Sequence, residues 1–104
     1  MRIVDEIYKS VYDAVMEEIE LPDGWIMSKK EDCTDARSIL IHFLYKSGLT
    51  RSQIEAKTGL SKTAVRQHIN NFSQRNNSNK IMKMHSNNIE RKLGAKNLKT
   101  VHHQ

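Results

Sequence analysis

One cysteine, one proline and four glycines are all that this chain of 104 residues has of those types, and only six of its residues are aromatic. A lone cysteine, Cys33, cannot close an internal disulfide. No Cys/His cluster has zinc-ligand spacing either, and His102-His103 is too short a tract to argue a metal. The scarcity of proline and glycine leaves long uninterrupted segments, which favours helices. No apolar run approaches membrane-spanning length, and Met1 to Ser10 has no signal-peptide layout, so a reducing cytoplasm is the expected location. Also absent are a GxxxxGK[ST] phosphate loop and any Gly-rich turn after a strand. The histidines and acids show no pairing at useful spacing, and a catalytic triad needs a cleft that so short a chain would struggle to build. A binding module without cofactor or metal is expected, not an enzyme.

What is present is enough apolar residue, 38% of the chain, for one domain with one modest, aliphatic core. The net charge of +5 hides a split. Residues 1–35 carry ten acids and four bases, a net of −6; residues 36–104 carry thirteen bases and two acids, a net of +11. That asymmetry points to a polyanion partner for the second two thirds.

The periodicity predicts about five helices. Val4, Ile7, Tyr8, Val11, Val15 and Ile19 give an amphipathic first helix over residues 2–20, broken by Leu21-Pro22-Asp23-Gly24. Trp25, Ile26 and Met27 read as anchors pinning a loop to the core; the alternative is an exposed Trp25 that binds a partner. Ser28 to Asp32 reads as a charged loop. A central helix begins near Thr34 or Asp35, buries Ile39, Leu40, Phe43 and Leu44, and stops at Gly48. His42 sits beside that stripe as a flank or core histidine. Ser73 to Lys80 reads as a polar connector. Ile81, Met82, Met84, Ile89 and Leu93 predict a last helix ended by Gly94, followed by a basic, flexible tail over 95–104.

The chain is organised around Leu49 to Phe72, which reads as a helix-turn-helix spanning residues 50–74. Thr50 to Gln53 is a capping-box pattern, Ser61 can cap the second helix, and Gly59 occupies the turn. With Val65 facing inward, a step of about 100° per residue sends Thr63, Arg66, Gln67, Asn70 and Gln74 outward. Arg, Gln and Asn are the side chains that make two-point hydrogen bonds to guanine or adenine edges. The plain alternative is a pair of core helices with a solvated polar side.

Thr34-Asp35-Ala36-Arg37, Ile39, Leu40, Gly59, Ser61, Thr63, Val65 and Ile69 resemble the C-terminal DNA-binding domain of the bacterial replication initiator DnaA. The resemblance extends to an opening helix, a hydrophobic-Ser-Lys-basic loop at Met27-Ser28-Lys29-Lys30, and a closing helix, covering about residues 1–94. It implies an all-α domain that lays its second helix in the major groove of duplex DNA. By position it makes Lys29 and Lys30 loop contacts and Arg37 a phosphate contact. Lys62 and Thr63 fall where that family's His-Thr pair reads sequence. The chain departs from the family in carrying Glu31 and Asp32 after the loop lysines, in reading Ser61-Lys62-Thr63-Ala64-Val65 at the signature, and in lacking the ATPase module. Ten residues separate Ile54 from Val65, one fewer than in that family; this shorter spacing is similar to the Trp repressor. Gln67 stands where Trp repressors have an arginine of the tryptophan pocket.

The expected function is double-stranded DNA binding in replication or transcription control. Lys62, Thr63, Arg66, Gln67 and Asn70 would meet base edges, while Lys29, Lys30, Arg37, Arg51, Lys57 and Ser61 would meet phosphates. Expected partners are duplex DNA, a second copy of the chain, and a replication or transcription protein. The alternatives are a protein-interaction module using the same fold, or an effector-gated repressor of the Trp repressor kind.

Overall fold

In the computed structural model, which describes the backbone of residues 2–101 and the side chains of residues 3–94, the helices succeed one another without a strand among the described residues. They are α1 (Arg2–Glu18), a single 3-10 turn (Trp25–Met27), α2 (Glu31–Lys46), α3 (Arg51–Thr58), α4 (Lys62–Asn77) and α5 (Lys80–Val101). The chain is therefore a compact all-α bundle of five helices, as its composition and periodicity predict. Met1 and residues 102–104, including His102-His103, lie outside the described residues.

Helix α2 is the axis of the bundle. Ser38, Ile39, Leu40 and Ile41 are buried in succession, which requires neighbours all round the helix instead of on one stripe. α1, α3, α4, α5 and the 3-10 turn supply them. α2 begins at Glu31, three residues before the predicted start. Glu31 and Asp32 are favoured at the positive end of the helix dipole, and the Asp32 carboxylate accepts the Cys33 N–H at 2.9 Å. At the other end Leu49 N donates to Leu44 O and Gly48 N to Tyr45 O, both at 3.1 Å. Gly48 has φ of +111°. This is the Schellman stop, and buried Leu44 and Leu49 make its apolar seal.

α1 buries Val11, Ala14 and Val15 and ends at Glu18, two residues short of the predicted boundary. Its acidic last turn opposes the helix dipole, but α5 compensates. Glu18 accepts from His85 Nδ1 at 2.9 Å and Asn88 Nδ2 at 2.8 Å. Burial alone would raise the Glu18 pKa; the bonds from Asn88 and His85, with the charges of His85 and Lys92, bring it below its ordinary value. Trp25 is only 2% exposed, stacked on Tyr12, which stacks on Tyr8. It is an anchor, and the exposed-tryptophan reading is excluded. Met27 is not an anchor in the same sense, being 57% exposed.

Two predicted boundaries near the C-terminal side need correction. Ser73 to Lys80 is not a connector: α4 continues to Asn77 and only Ser78-Asn79 link it to α5. The polar residues there build a corner. Arg75 Nη1 and Asn79 Nδ2 both donate to the Asp35 carboxylate, at 2.7 and 3.1 Å, while Asn79 Oδ1 caps α5 through Met82 N. Gly94 does not end α5, which runs on to Val101. One interior glycine costs a helix only about 1 kcal/mol, and Gly94 lacks the positive φ of Gly24, Gly48 and Gly59. The tail predicted for 95–104 is thus helical in its backbone as far as Val101. Among the described side chains of α5, those of Met82, Ser86 and Ile89 are buried, with Leu93 packed partly against the core. Ile81 and Met84 stay outside at 67% and 50% exposure.

Candidate nucleic-acid interface

α3 and α4 pack on each other and on α2, joined by residues 59–61. Thr50 Oγ1 accepts from Gln53 N at 3.1 Å and Gln53 Oε1 from Thr50 N at 2.9 Å, completing the predicted capping box. Gly59 has φ of +79°, and Ser61 Oγ caps α4 through Ala64 N at 3.1 Å. Val65 and Phe72 are buried, and Phe72 lies flat against His42, ring centroids 3.8 Å apart. That stacking gives His42 its place on the flank of the core.

With those residues inward, Lys62, Thr63, Arg66, Gln67, Asn70 and Gln74 are all exposed. α4 contains no acid, so nothing on the helix itself neutralises Lys62 or Arg66. Elsewhere five carboxylates are paired with lysine or arginine: Asp13 with Lys9, Asp35 with Arg75, Glu17 with Lys92, Glu90 with Lys46, and Asp5 with Lys57. Of the bases proposed from sequence to meet DNA, only Lys57 is ion-paired among the described residues. Its ammonium holds the Asp5 carboxyl below the usual carboxylate range and ties α3 to α1. Arg51 is exposed, its guanidinium 6.0 Å from the centre of the Tyr45 ring.

Lys29 and Lys30 are exposed on the loop before α2, and the loop is fixed beside α4. Arg37 does the fixing. Its Nη1 donates to Ile26 O at 2.6 Å and Ser28 O at 2.8 Å, its Nη2 to Thr34 Oγ1 at 3.1 Å, and its Nε to His68 Nε2 at 3.3 Å. Thr34 Oγ1 in turn donates to Lys30 O at 3.0 Å. Carbonyls 26, 28 and 30 are thereby turned inward, and Met27 lies over the α3–α4 turn against Gly59. Four of the five guanidinium N–H groups are spent inside the protein. The phosphate role that sequence resemblance gives Arg37 leaves it one free donor.

His68 is the residue the sequence reading missed, together with Ser38. Its Nδ1 lies 2.7 Å from the Ser38 hydroxyl, which is 1% exposed. Arg37 Nε can only donate, so His68 Nε2 must accept and the ring proton sits on Nδ1, donated to Ser38 Oγ. That tautomer rules out Ser38 activation: the histidine gives the serine a proton bond instead of accepting one. The available signal was polarity beside a buried stripe, since Ser38 directly precedes the apolar Ile39-Leu40-Ile41 and His68 flanks Val65 and Ile69 on the inward side.

The same environment holds the His68 pKa down to about 4, first by burial, then by the positive charges of Arg37 and Arg75. His42 is lowered too, by burial and by Lys46. The unfolded chain takes up these protons near pH ~6.5 whereas the folded chain refuses them. Stability from this source is full above about pH 6.5 and is lost as pH falls toward 4. We expect the urea midpoint to fall between pH 7 and pH 5, and His68 to stay neutral over that range by imidazole nitrogen shifts, with the proton on Nδ1. A His68 midpoint near its ordinary value would contradict the assignment.

Among the described residues no group of three His, Cys, Asp or Glu side chains could hold a metal ion, and no helix is long and apolar enough to cross a membrane. No family model matches the chain, and comparisons with curated proteins and with solved structures find no match either.

Proposed function

We propose that the chain binds double-stranded DNA, with α3 and α4 acting as a helix-turn-helix and α4 entering the major groove. The observation that carries this reading is the outward face of α4. Lys62, Thr63, Arg66, Gln67 and Asn70 stand exposed on a helix without acids, while Lys9, Lys46, Lys57, Arg75 and Lys92 are each paired with a carboxylate. A solvated helix on a charge-mixed protein has no need to leave its cations unpaired on one side. Thr63, Arg66, Gln67 and Asn70 are assigned to base edges, with Lys62 at the start of the helix. Lys29, Lys30, Arg51 and Ser61 are assigned to phosphates, and Lys57 joins them only by giving up Asp5. Arg37 is reassigned from direct contact to holding the loop. The likeness to the initiator's DNA-binding domain and the Trp repressor supports the same mode, in replication or transcription control.

The effector-gated alternative needs a small-molecule space between α2 and α4. That interface is filled by the His42–Phe72 stack and the Arg37–His68–Ser38 chain of hydrogen bonds. The protein-interaction alternative loses Trp25, which is buried. One such domain covers only a few base pairs, so we propose paired half-sites occupied by two copies.

Selection from a randomised duplex pool across a salt series tests the reading. One enriched motif whose affinity falls steeply with salt supports it; no retention at low salt refutes it. On the selected site, Arg66→Ala is expected to cost about 1–3 kcal/mol and relax preference at one base, whereas Lys62→Ala should lower the salt slope by about one. Equal loss on every sequence would move Arg66 to phosphate contact.

A further inference from the structure

We infer that His68 is a positioning residue that, through Arg37, locks the Ile26–Lys30 loop to α4, so that the loop lysines and the base-reading face meet a duplex as one rigid unit. The inference rests on the DNA-binding reading for its purpose and on geometry for its substance. His68 is carried by α4 and is half-buried, whereas Thr63, Arg66 and Gln67 on the same helix are exposed. Its two ring nitrogens tie α4 to two neighbouring residues of α2: Nδ1 reaches the Ser38 hydroxyl and Nε2 accepts from Nε of the Arg37 fork. The other end of that fork grips Ile26 O and Ser28 O, immediately before Lys29 and Lys30. After the 3-10 turn residues 28–30 form no regular structure; they are held by the Ser28 N–H donated to Trp25 O, by Arg37, by Thr34 and by the Lys30 N–H donated to Ser28 Oγ.

A loop left free would have to be ordered when it met phosphate, which weakens its contribution to binding. A loop locked to α4 carries its two charges already aligned with the groove-facing side chains. A neutral, two-ended hydrogen-bonding ring is what this junction requires. Arginine or lysine at residue 68 would face the Arg37 charge, and an apolar residue would leave the Arg37 Nε–H and Ser38 hydroxyl without their partner.

The test compares His68→Leu, His68→Gln and Arg37→Lys with Lys29→Ala/Lys30→Ala in both the native and His68→Leu backgrounds. In the native background the double lysine variant should lower the slope of log K against log[salt] by about two. His68→Leu should remove about one to two of that slope while the enriched DNA motif is unchanged. Adding the lysine substitutions to it should then lose little more, because the loop no longer delivers its charges. His68→Gln, which can still accept from Arg37, should recover part of the slope. Arg37→Lys keeps the charge but not the fork and should resemble His68→Leu; a retained slope would show that the loop delivers its charges without the fork and would count against the lock. Amide exchange at Ser28 and Lys30 should quicken in His68→Leu, a readout that needs no DNA. Independent, additive losses from His68→Leu and the lysine pair, or unchanged exchange in the loop, would reduce His68 to a core residue and overturn the inference. If the native chain bound no duplex while the exchange result held, the lock would stand and the DNA-binding reading would fall.

Discussion

Replacing Ile54 by alanine is expected to lower the free energy of unfolding by about 2–5 kcal/mol and, on the proposed function, to abolish duplex binding, although Ile54 is a core residue. α3 has eight residues, below the roughly 12–15 at which an isolated helix becomes even marginal. Its existence therefore depends on tertiary contacts. Ile54 is fully buried and is the one large apolar side chain that α3 places in the core. The other buried residue, Thr58, works locally: its hydroxyl donates to Ile54 O at 2.7 Å and accepts from Leu60 N at 3.2 Å. With a total stability of about 5–15 kcal/mol for a domain of this kind, the loss is a large fraction of the whole. α3 also sets the entry angle of α4, because the turn between them is only three residues. Urea denaturation with hydrogen exchange reads both consequences, and exchange in α3 should accelerate before that in α2. A loss under about 1 kcal/mol, well short of the usual range for such a truncation, would show that α3 is held by something other than its core residue.

The second large effect is expected at Arg37. Arg37→Met keeps most of the apolar stem and removes the fork, leaving Ile26 O, Ser28 O, Thr34 Oγ1 and His68 Nε2 without their donor. A hydrogen bond to a charged group contributes about 1.5–3 kcal/mol, and an orphaned buried group costs about 1–3 kcal/mol. These groups are only partly buried, so water replaces some donors and a net loss of about 2–4 kcal/mol is expected from the same magnitudes. Chemical denaturation measures it. The histidine supplies an independent check: with one of its two positive neighbours gone, the His68 pKa should rise from about 4 toward its ordinary value, though burial keeps it lowered. The fall in stability between about pH 6.5 and 4 should then flatten, because folded and unfolded chains take up that proton over closer pH ranges. A His68 titration unchanged in Arg37→Met would mean that the guanidinium does not face the ring.

Local rules carried the reading of the chain a long way. The capping box at Thr50 and Gln53, the Ser61 cap, and the glycines at residues 48 and 59 involve partners three to five residues apart. So do the apolar stripes of α1 and α2. Physics of that range is written in a window of sequence. The errors arose where a polar residue has two uses. Glu31 and Asp32 look like loop residues by charge, yet charge of that sign is also what the first turn of α2 favours. Ser73 to Lys80 looks like a connector by polarity, yet Arg75 and Asn79 spend theirs on Asp35. Gly94 looks like a stop, yet a glycine ends a helix only where the backbone turns to positive φ.

The amino-acid sequence by itself determined that the fold is all-α, where the apolar stripes of α1 and α2 lie, where the turn between α3 and α4 falls, and which side of α4 faces out. Each follows from spacing along one helix or from a cap within it. Only the tertiary structure decided the fate of the individual cations. Lys57 was drawn to Asp5, 52 positions away, and Arg37 to His68, 31 positions away, while Lys29, Lys30, Lys62 and Arg66 were left without a carboxylate. A charge's partner depends on which surfaces the packed helices bring within a few ångströms. No periodicity encodes that, because the energy belongs to the pair and the pair exists only once the core has assembled.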